Sequence, residues 1–439
     1  MNLNLLGDQY LSTCELIGNL IFMLQTIGIF LKYWVLCMVS GNHFAHFKTC
    51  TKDLGRLNMF YIKALQSLST NANLLTQQQL DYLSVYTDNV PFDDCEVSSE
   101  FVQSVQDTAK RNGYCIQIEH TAMPIKSGMI SLIYSAILNS QPVVIKVMRT
   151  GVRKRLDNAF RKVMFIIRVV SCVPYIRNLQ LIDVFTENRK NMIAQTFFNV
   201  EKENILRMAE NCKHTDYINV PTVFPEFTDA NDSVIVMSYL EGRRLDELDG
   251  DEKDVYCRLL AKFGMKCLLF NRFYHADLHP GNILFMQDTD GNMQLGILDY
   301  GIMGEITKDE QEYFHNFFTS LATSQNNNDV ADNILDGLVH PVSLVKELST
   351  WDYKNLRKEI GNIIGGILEK SINITPDDIL CINTVLRKYN LALSKSFCRI
   401  ELSLAVADSV SSKLSYKTTY LENVKEAMSE LIETSIVEY

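Results

Sequence analysis

A chain of 439 residues with 47% hydrophobic side chains can bury a large core, which predicts a folded protein of two or three packed units. Its formal net charge of −10, from 42 basic and 52 acidic residues, argues against a nucleic-acid partner, because such partners require an excess of Lys and Arg. The 11 cysteines include no C-x-x-C pair, which favours reduced thiols in an intracellular protein over a zinc site.

Residues 1–50 form an apolar N-terminal segment. Leu16–Leu31 carries no charge, and apolar sequence resumes after Lys32. A spanning helix needs about 20 apolar residues, so this segment is long enough only if Lys32 is tolerated or reaches the interface. Glu15 and the lack of an early basic cluster argue against a cleaved secretory signal. Two interpretations stay open: a membrane-associated helix, and a buried or amphipathic helix of a helical domain.

Residues 51–115 are predicted to be a helical extension, because apolar residues recur there at steps of three and four. These positions include Leu54, Leu57, Phe60, Tyr61 and Leu65.

The periodicity changes in residues 116–236, which are predicted to be mainly a β-sheet lobe. Met129–Val147 contains two β-rich runs around the turn sequence Asn-Ser-Gln-Pro, which predicts an antiparallel hairpin. Lys146 lies within the second run, where composition alone favours a solvated side chain. The apolar run at residues 234–240 predicts an edge strand that leads into a linker between two lobes.

Residues 237–320 contain a phosphoryl-transfer pattern. His275, Asp277 and Asn282 have the spacing H-x-D-x-x-x-x-N, which supplies an Asp to orient a hydroxyl nucleophile and an Asn to hold a metal ion. Residues 282–299 predict a hairpin with Asp-Gly near its tip. Asp299 ends the apolar strand, where its carboxylate is a good metal ligand.

The order Lys146, Asp277, Asn282, Asp299 is the order in which protein kinases present their phosphate-binding, catalytic and metal-binding residues. The sequence therefore predicts an α+β, protein-kinase-like bilobal fold with an N-terminal helical extension, in which residues 116–236 form the N-lobe and residues 237–320 form the C-lobe with the catalytic and metal loops. Residues 321–439 are predicted to be a helical C-terminal region and contain no motif of known chemistry.

Three separated stretches resemble one family, the UbiB atypical kinases, also called aarF-domain kinases. These are HADLHPGNILF at 275–285, VVIKVMRTGV at 143–152 and YIKALQSLSTNANLL at 61–75. The family has H-x-D-x-H-P-G-N in its catalytic loop, R-P-G-V after its third strand, and K-x-G-Q before L-S-T in a helical extension.

The resemblance implies ATP and Mg²⁺ as cofactors and assigns roles to five residues. Lys146 would contact the α- and β-phosphates and pair with Glu201 on an αC-like helix. Asp277 would orient the nucleophile, while Asn282 and Asp299 would hold magnesium.

Further nucleotide-site residues are implied by the same resemblance. The family's Ala-rich phosphate loop corresponds to residues 126–131, where Ser127 and Gly128 lie and where Gly could let backbone N–H groups approach phosphates. Lys63 and Gln66 correspond to the ends of K-x-G-Q, a motif that lies over the nucleotide site in the family.

The sequence departs from the family pattern at K-x-G-Q and at a second motif, E-x-D. Leu65 replaces the Gly of K-x-G-Q, and the family's E-x-D motif falls at Gln195-Thr196-Phe197, which has neither carboxylate. Gln195 can offer Lys63 only a neutral acceptor. The resemblance therefore implies an altered cover over the pocket, with the residues of phosphoryl transfer retained.

The sequence leaves three functions open. The first is an atypical kinase or ATPase acting at a membrane, which the resemblance links to coenzyme Q and isoprenoid-lipid metabolism, with a lipid or membrane surface as a partner. The second is a non-catalytic nucleotide-binding scaffold. The third is a small-molecule phosphotransferase, which would not be expected to have the L-S-T helix or the R-x-G-V strand end. No protein partner is specified by the sequence.

Four basic residues after the predicted Lys146 strand allow two interpretations. They could form a lipid-headgroup patch, although a solvated helix start is the simpler explanation. The residues are Arg149, Arg153, Lys154 and Arg155.

Overall fold

The computed structural model describes most of the chain. The described ranges are 13–69, 75–88, 90–98, 100–119, 123–172, 181–250, 252–323, 326–369, 376–414 and 420–437. The chain divides into two compact units, each considered by itself. Unit 1 comprises residues 1–198 and 224–236, and unit 2 comprises residues 199–223 and 237–439.

The helices of the described ranges, in chain order, are α1 (Thr13–Ser40), α2 (His43–Leu57), α3 (Met59–Ser69), α4 (Gln77–Asp88), α5 (Glu100–Arg111), α6 (Val152–Val170), α7 (Leu181–Ala194), α8 (Phe198–Asn211), α9 (Pro225–Ala230), α10 (Glu252–Leu269), α11 (Lys308–Thr323), α12 (Asn327–Gly337), α13 (Val342–Glu347), α14 (Thr350–Glu369), α15 (Pro376–Arg387), α16 (Lys395–Leu414) and α17 (Tyr420–Val437). The strands are β1 (Ile116–Ile118), β2 (Lys126–Ser127), β3 (Ser131–Leu138), β4 (Gln141–Met148), β5 (Ile218–Asn219), β6 (Val234–Ser238), β7 (Phe273–His275), β8 (Ile283–Gln287), β9 (Met293–Ile297), β10 (Met303–Glu305), β11 (Val339–His340) and β12 (Ala392–Leu393).

A sheet of strand order β1-β3-β4-β6, with β2 paired to β3, organises the β-rich part of unit 1. The predicted hairpin is confirmed: β3 and β4 are antiparallel, and Asn139 and Ser140 form the turn with φ of 48° and 69°. Asn is among the residues that tolerate the positive φ such turns require. One face of the sheet packs with α5, where the rings of Phe101 and Tyr134 lie 4.9 Å apart. The predicted strand after residue 233 is β6, at the sheet edge.

Helix α1 buries polar side chains and exposes apolar ones, which is the reverse of the usual pattern of a surface helix. Its buried residues include Asn19, Thr26 and Tyr33, whereas its exposed face is formed by large apolar side chains. The hydroxyl groups of Thr26 and Tyr61 on α3 share a hydrogen bond of 2.9 Å, and the Tyr33 hydroxyl donates to Asp53 on α2 (2.7 Å). By length and composition, this 28-residue helix could cross a membrane. Its polar contacts attach it to neighbouring helices of unit 1.

Lys32, which interrupts the apolar run, is accommodated within this arrangement. Its ammonium group lies 3.4 Å from the carboxylate of Asp53 and 4.6 Å from the centre of the Tyr33 ring. The charge therefore has partners on the side of α1 that faces α2.

Among the described residues, unit 2 contains helix α10, further helices and three small sheets. The predicted hairpin is confirmed: β8 and β9 are antiparallel, and β5 pairs with β9 in parallel. A second pair, β7 with β10, brings residue 275 opposite residue 303. Helix α10 packs against β7 and β9 as well as against α16 and α17. The C-terminal region is mainly helical, as predicted, and also contains the short pair β11–β12.

Candidate active site

The predicted catalytic loop leaves β7 at His275 and ends in a 3-10 turn at Asn282. The Asn282 N–H donates to the carbonyl of His279 (2.9 Å), and the Gly281 N–H donates to Nδ1 of the same His279 (3.1 Å). From outside the loop, the guanidinium of Arg244 donates to the Gly281 carbonyl (3.0 Å). These bonds fix the backbone of the second half of the loop, and sequence reasoning did not identify Arg244.

His275 connects the two acidic positions of the site. Its Nε2 lies 2.5 Å from the carbonyl oxygen of Asp299, and its Nδ1 accepts the backbone N–H of Asp277 (3.1 Å). Because a carbonyl can only accept, the proton lies on Nε2 and the ring is neutral. Burial lowers the pKa of His275, in agreement with a neutral ring. One imidazole thus fixes the backbone at both Asp277 and Asp299.

Asn282 and Asp299 are the predicted magnesium ligands. The Asn282 amide nitrogen donates to the Asp277 carbonyl (3.0 Å), so its Oδ1 is the atom suited to a cation. Asp299 follows β9, and its Oδ1 accepts the Gly301 N–H (2.8 Å). Magnesium is held by one or two carboxylates together with phosphate oxygens and waters, and this donor set fits that mode. Within the described ranges, no group of three or more His, Cys, Asp or Glu side chains is arranged to hold a metal.

Helix α8 makes a contact with the predicted metal-binding loop that the sequence did not reveal. The side-chain nitrogen of Asn204 donates to the carbonyl of Tyr300 (2.8 Å), between Asp299 and Gly301. Glu201 lies one turn earlier on α8 and is only 2% exposed. The sequence held one signal, because Asn204 follows the predicted αC-like Glu201 by three residues and so lies on the same side of the helix.

Lys146 lies in β4 of unit 1 and is 6% exposed, so the solvated interpretation suggested by composition is wrong. Its ammonium group lies 5.5 Å from the centre of the Phe198 ring, a cation–π contact. A buried ammonium in a strand agrees with a binding role. Glu201 and the catalytic loop belong to unit 2, so the pairing of Lys146 with Glu201 stays a prediction.

The predicted phosphate-loop stretch is a tight hairpin between β2 and β3. Ser127 is buried, and its hydroxyl donates to the carbonyl of Val90 (2.6 Å). The Gly128 N–H donates to the Ser131 carbonyl (2.9 Å), which closes the turn. Both polar groups are therefore engaged within unit 1, and a role in phosphate binding remains a prediction for both residues.

The covering motif is only partly described. Lys63 lies half-buried on α3, and Gln66 lies on the same helix, although its side chain is outside the described residues.

At the predicted E-x-D position, the buried residue Thr196 provides the carbonyl to which the Arg153 guanidinium donates (2.7 Å). The same guanidinium lies 5.0 Å from the centre of the half-exposed Phe197 ring. Arg153 thus packs where the family has two carboxylates.

Comparison with known proteins agrees with these features. A family model described as the ABC1 atypical kinase-like domain matches residues 92–333, more than half of the chain. The "Probable protein kinase UbiB" of Vibrio parahaemolyticus is 26% identical over 276 residues, covering 61% of this chain and 50% of that protein. Its counterpart in Vibrio vulnificus strain CMCP6 is 27% identical over 280 residues, with the same coverage. The chain thus spans about half the length of the curated relatives it matches.

Among solved structures, the complex of Rv3197 with erythromycin from Mycobacterium tuberculosis is 16% identical with a TM-score of 0.43, covering 76% of this chain and 88% of that one. The Rio2 kinase of Chaetomium thermophilum in complex with ADP/Mg²⁺ is 15% identical with a TM-score of 0.28, covering 75% and 84%. The family match confirms both the resemblance based on sequence motifs and the kinase-like fold class. The chain belongs to the ABC1 atypical kinase-like family, whose UbiB-type members its motifs resemble.

Proposed function

We propose that this chain binds Mg-ATP and catalyses phosphoryl transfer or ATP hydrolysis as an atypical kinase or ATPase. The observation that carries the proposal is the bridge made by His275, which holds the backbone of Asp277 and Asp299 in one arrangement. Phosphoryl transfer depends almost entirely on positioning and electrostatic stabilisation, so a rigid loop of this kind is what the reaction requires.

In this proposal each residue of the loop has one task. Asp277 orients the attacking hydroxyl or water, and its half-buried carboxylate lies on the fixed loop. Asn282 and Asp299 hold magnesium, which neutralises charge on the phosphates when bound. The role of Lys146 at the phosphates, and its pairing with Glu201, follow from the family pattern.

The exposed face of α1 supports a membrane site for the activity. Leu24, Leu31 and Trp34 are between 56% and 64% exposed, and they belong to a larger apolar face. Exposed contiguous apolar surface marks an interaction site, and a helix with one apolar face suits the bilayer interface. The inner face is hydrogen-bonded to α2 and α3, so we infer that α1 lies in the plane of the interface. The link to coenzyme Q and isoprenoid lipids is part of the proposal through the family resemblance.

One observation favours a second function, a nucleotide-binding scaffold without turnover. The contacts of Arg153 with Thr196 and Phe197 occupy the position where the family has E-x-D. A chain with this substitution could keep binding and lose turnover. No observation favours the third candidate, a small-molecule phosphotransferase.

Magnesium-dependent ATP binding and hydrolysis by the purified full chain, with and without anionic vesicles, test the proposal. Asp299→Asn removes one metal ligand and should abolish turnover, while Asp290→Asn, at the exposed tip of the β8–β9 hairpin, is a charge-matched control that should not. Lys146→Ala should weaken ATP binding. Binding without turnover in the wild type would establish the scaffold instead, and absence of binding would overturn both.

A further inference from the structure

Arg149 directly follows β4 and is buried, so its interpretation as part of a solvated helix start is wrong. Its side chain is 4% exposed and donates to the carboxylate of Glu96 (2.7 Å). It also donates to the backbone carbonyls of Val90 (3.0 Å) and Pro91 (3.1 Å), and to the hydroxyl of Ser127 (2.7 Å). The planar guanidinium has five donors in a fixed geometry, which lets one side chain hold several acceptors.

These contacts join two segments that are distant in sequence. The first is Val90–Glu96, which lies within the helical extension, between α4 and α5. The second is the hairpin 126–131, the predicted phosphate loop. Backbone bonds reinforce the junction, since the Val90 N–H donates to the Ser127 carbonyl (2.8 Å) and the Arg149 N–H donates to the Ile130 carbonyl (2.9 Å).

Glu96 neutralises the buried charge and is itself held on two sides. Its carboxylate also accepts from Arg155, and its carbonyl accepts the Thr150 N–H (2.8 Å). Burial lowers the pKa of Arg149 to about 10, which leaves the guanidinium charged at neutral pH. Removing Glu96 would leave the buried Arg149 without its counter-charge, so the ion pair stabilises this junction.

We propose that Arg149 is a positioning residue that makes the conformation of the hairpin 126–131 depend on the segment Val90–Glu96. The helical extension would thereby influence the candidate nucleotide site through unit 1 itself. Lys146 lies on β4, three residues before Arg149, and its strand partner Ile133 pairs with Lys126 of the hairpin. The effect on a nucleotide site rests on the proposed function, whereas the coupling of the two segments does not.

Hydrogen exchange measured by mass spectrometry on the nucleotide-free full chain tests the coupling. Ser127→Ala removes the hydroxyl that Arg149 binds and keeps the ion pair, so it is the variant least expected to unfold the protein. Ser135→Ala is its control, because Ser135 lies on β3 of the same sheet and donates to Glu119 (3.1 Å). Arg149→Lys keeps the positive charge and loses the several planar N–H donors of the guanidinium. Its control is Arg357→Lys, which disrupts a bidentate pair with Asp332 in unit 2.

In Ser127→Ala and Arg149→Lys, we expect exchange to accelerate about tenfold both in residues 90–98 and in residues 125–131, with no such change in either control. Acceleration in residues 90–98 alone would overturn the coupling, because the hairpin would then be independent of the segment.

The affinity for Mg-ADP, measured by calorimetry on the same proteins, tests the positioning role. A weaker affinity in Arg149→Lys, with unchanged affinity in Ser135→Ala and Arg357→Lys, would support it, because Arg149 is bonded to protein groups and Ser127 is itself a predicted nucleotide-site residue. Faster exchange with unchanged affinity would overturn it. If the wild type binds no Mg-ADP, the proposed function fails, and the exchange measurement still decides whether the two segments are coupled.

Discussion

The Nε2 atom of His275 and the carbonyl oxygen of Asp299 lie 2.5 Å apart, and this hydrogen bond joins the predicted catalytic loop to the predicted metal-binding loop. Burial keeps the imidazole neutral by lowering its pKa below the ordinary value of 6.5. The unfolded chain therefore takes up a proton at this residue more readily than the folded chain. As pH falls from 6.5 towards the lowered pKa, the folded state should lose stability.

This pH dependence can be isolated by comparing variants. His275→Asn has no titrating ring, so the wild type should lose stability relative to it below pH 6.5 by at most about 1.4 kcal/mol per pH unit. Urea unfolding from about pH 8 to about pH 5 measures the difference. His214→Asn, at an exposed position, should follow the wild type throughout. Parallel curves for wild type and His275→Asn would refute a neutral buried ring.

The bond from Asn204 to the Tyr300 carbonyl predicts a catalytic effect larger than its effect on stability. Asn204→Ala should lower the free energy of unfolding by about 1 kcal/mol. Turnover should fall about tenfold to a hundredfold, because small displacements of a metal ligand are costly in rate. Asn199→Ala, at an exposed position on the same helix, should change neither quantity. Steady-state ATP hydrolysis and urea unfolding measure the two effects, and equal losses in both variants would contradict this prediction.

Tyr300 lies between Asp299, the predicted metal ligand, and Gly301, and its hydroxyl is buried with no hydrogen-bond partner among the described residues. A buried hydroxyl without a partner costs about 1–3 kcal/mol. Tyr300→Phe should therefore raise the free energy of unfolding by about 1 kcal/mol. In contrast, Tyr256→Phe should lower it, because the Tyr256 hydroxyl donates to the Met286 carbonyl (2.7 Å). Chemical denaturation of both variants gives the sign, and destabilisation by Tyr300→Phe would show that its hydroxyl has a partner.

The apolar face of α1 predicts binding to lipid vesicles. Leu24→Glu should weaken co-sedimentation with anionic vesicles at least about tenfold, since burying one Leu contributes about 1.5–3 kcal/mol. The control Thr49→Glu adds the same charge at an exposed position on α2 and should bind like the wild type. Equal binding of wild type and Leu24→Glu would exclude this face as the membrane contact.

The orientation of α1 can be tested separately. Cys14 lies near its first residue and Ser40 is its last, and both are exposed. In sealed vesicles with protein added outside, variants whose one cysteine is Cys14 or Ser40→Cys should both react with an impermeant maleimide. Protection of one end would indicate a spanning helix. That outcome would also mean that the Thr26–Tyr61 and Tyr33–Asp53 bonds break on membrane binding.

The parts of the site that could be predicted from sequence are local. His275, Asp277 and Asn282 lie within one loop, and Asp299 ends the adjoining hairpin, so their spacing alone indicates shared chemistry. The turn at Asn139 was likewise marked by residue types that accept its backbone geometry. Local patterns work here because the interacting atoms are close along the chain.

The rest depends on partners far along the chain. Arg149 and Glu96 are 53 residues apart, and the sequence near either residue does not indicate the other. The basic cluster around Arg149 therefore predicted an exposed side chain, whereas the fold buries it in an ion pair. Lys146 looked solvated by composition, because only sheet packing decides which side of β4 is buried. The apolar run of α1 was evident, but its polar inner face was not, because that face is defined by Tyr61 and Asp53.

The ion pair of Arg149 and Glu96 also limits how this protein can change over generations. Replacing one residue of an exposed ion pair changes the stability of the fold little. Replacing one residue of a buried ion pair leaves an unpaired charge away from water and lowers the stability strongly. The two positions should therefore be inherited together, either both retained or both replaced by apolar residues of similar volume. In relatives of this chain, a neutral residue at one position predicts a neutral residue at the other, and with it a hairpin released from the helical extension.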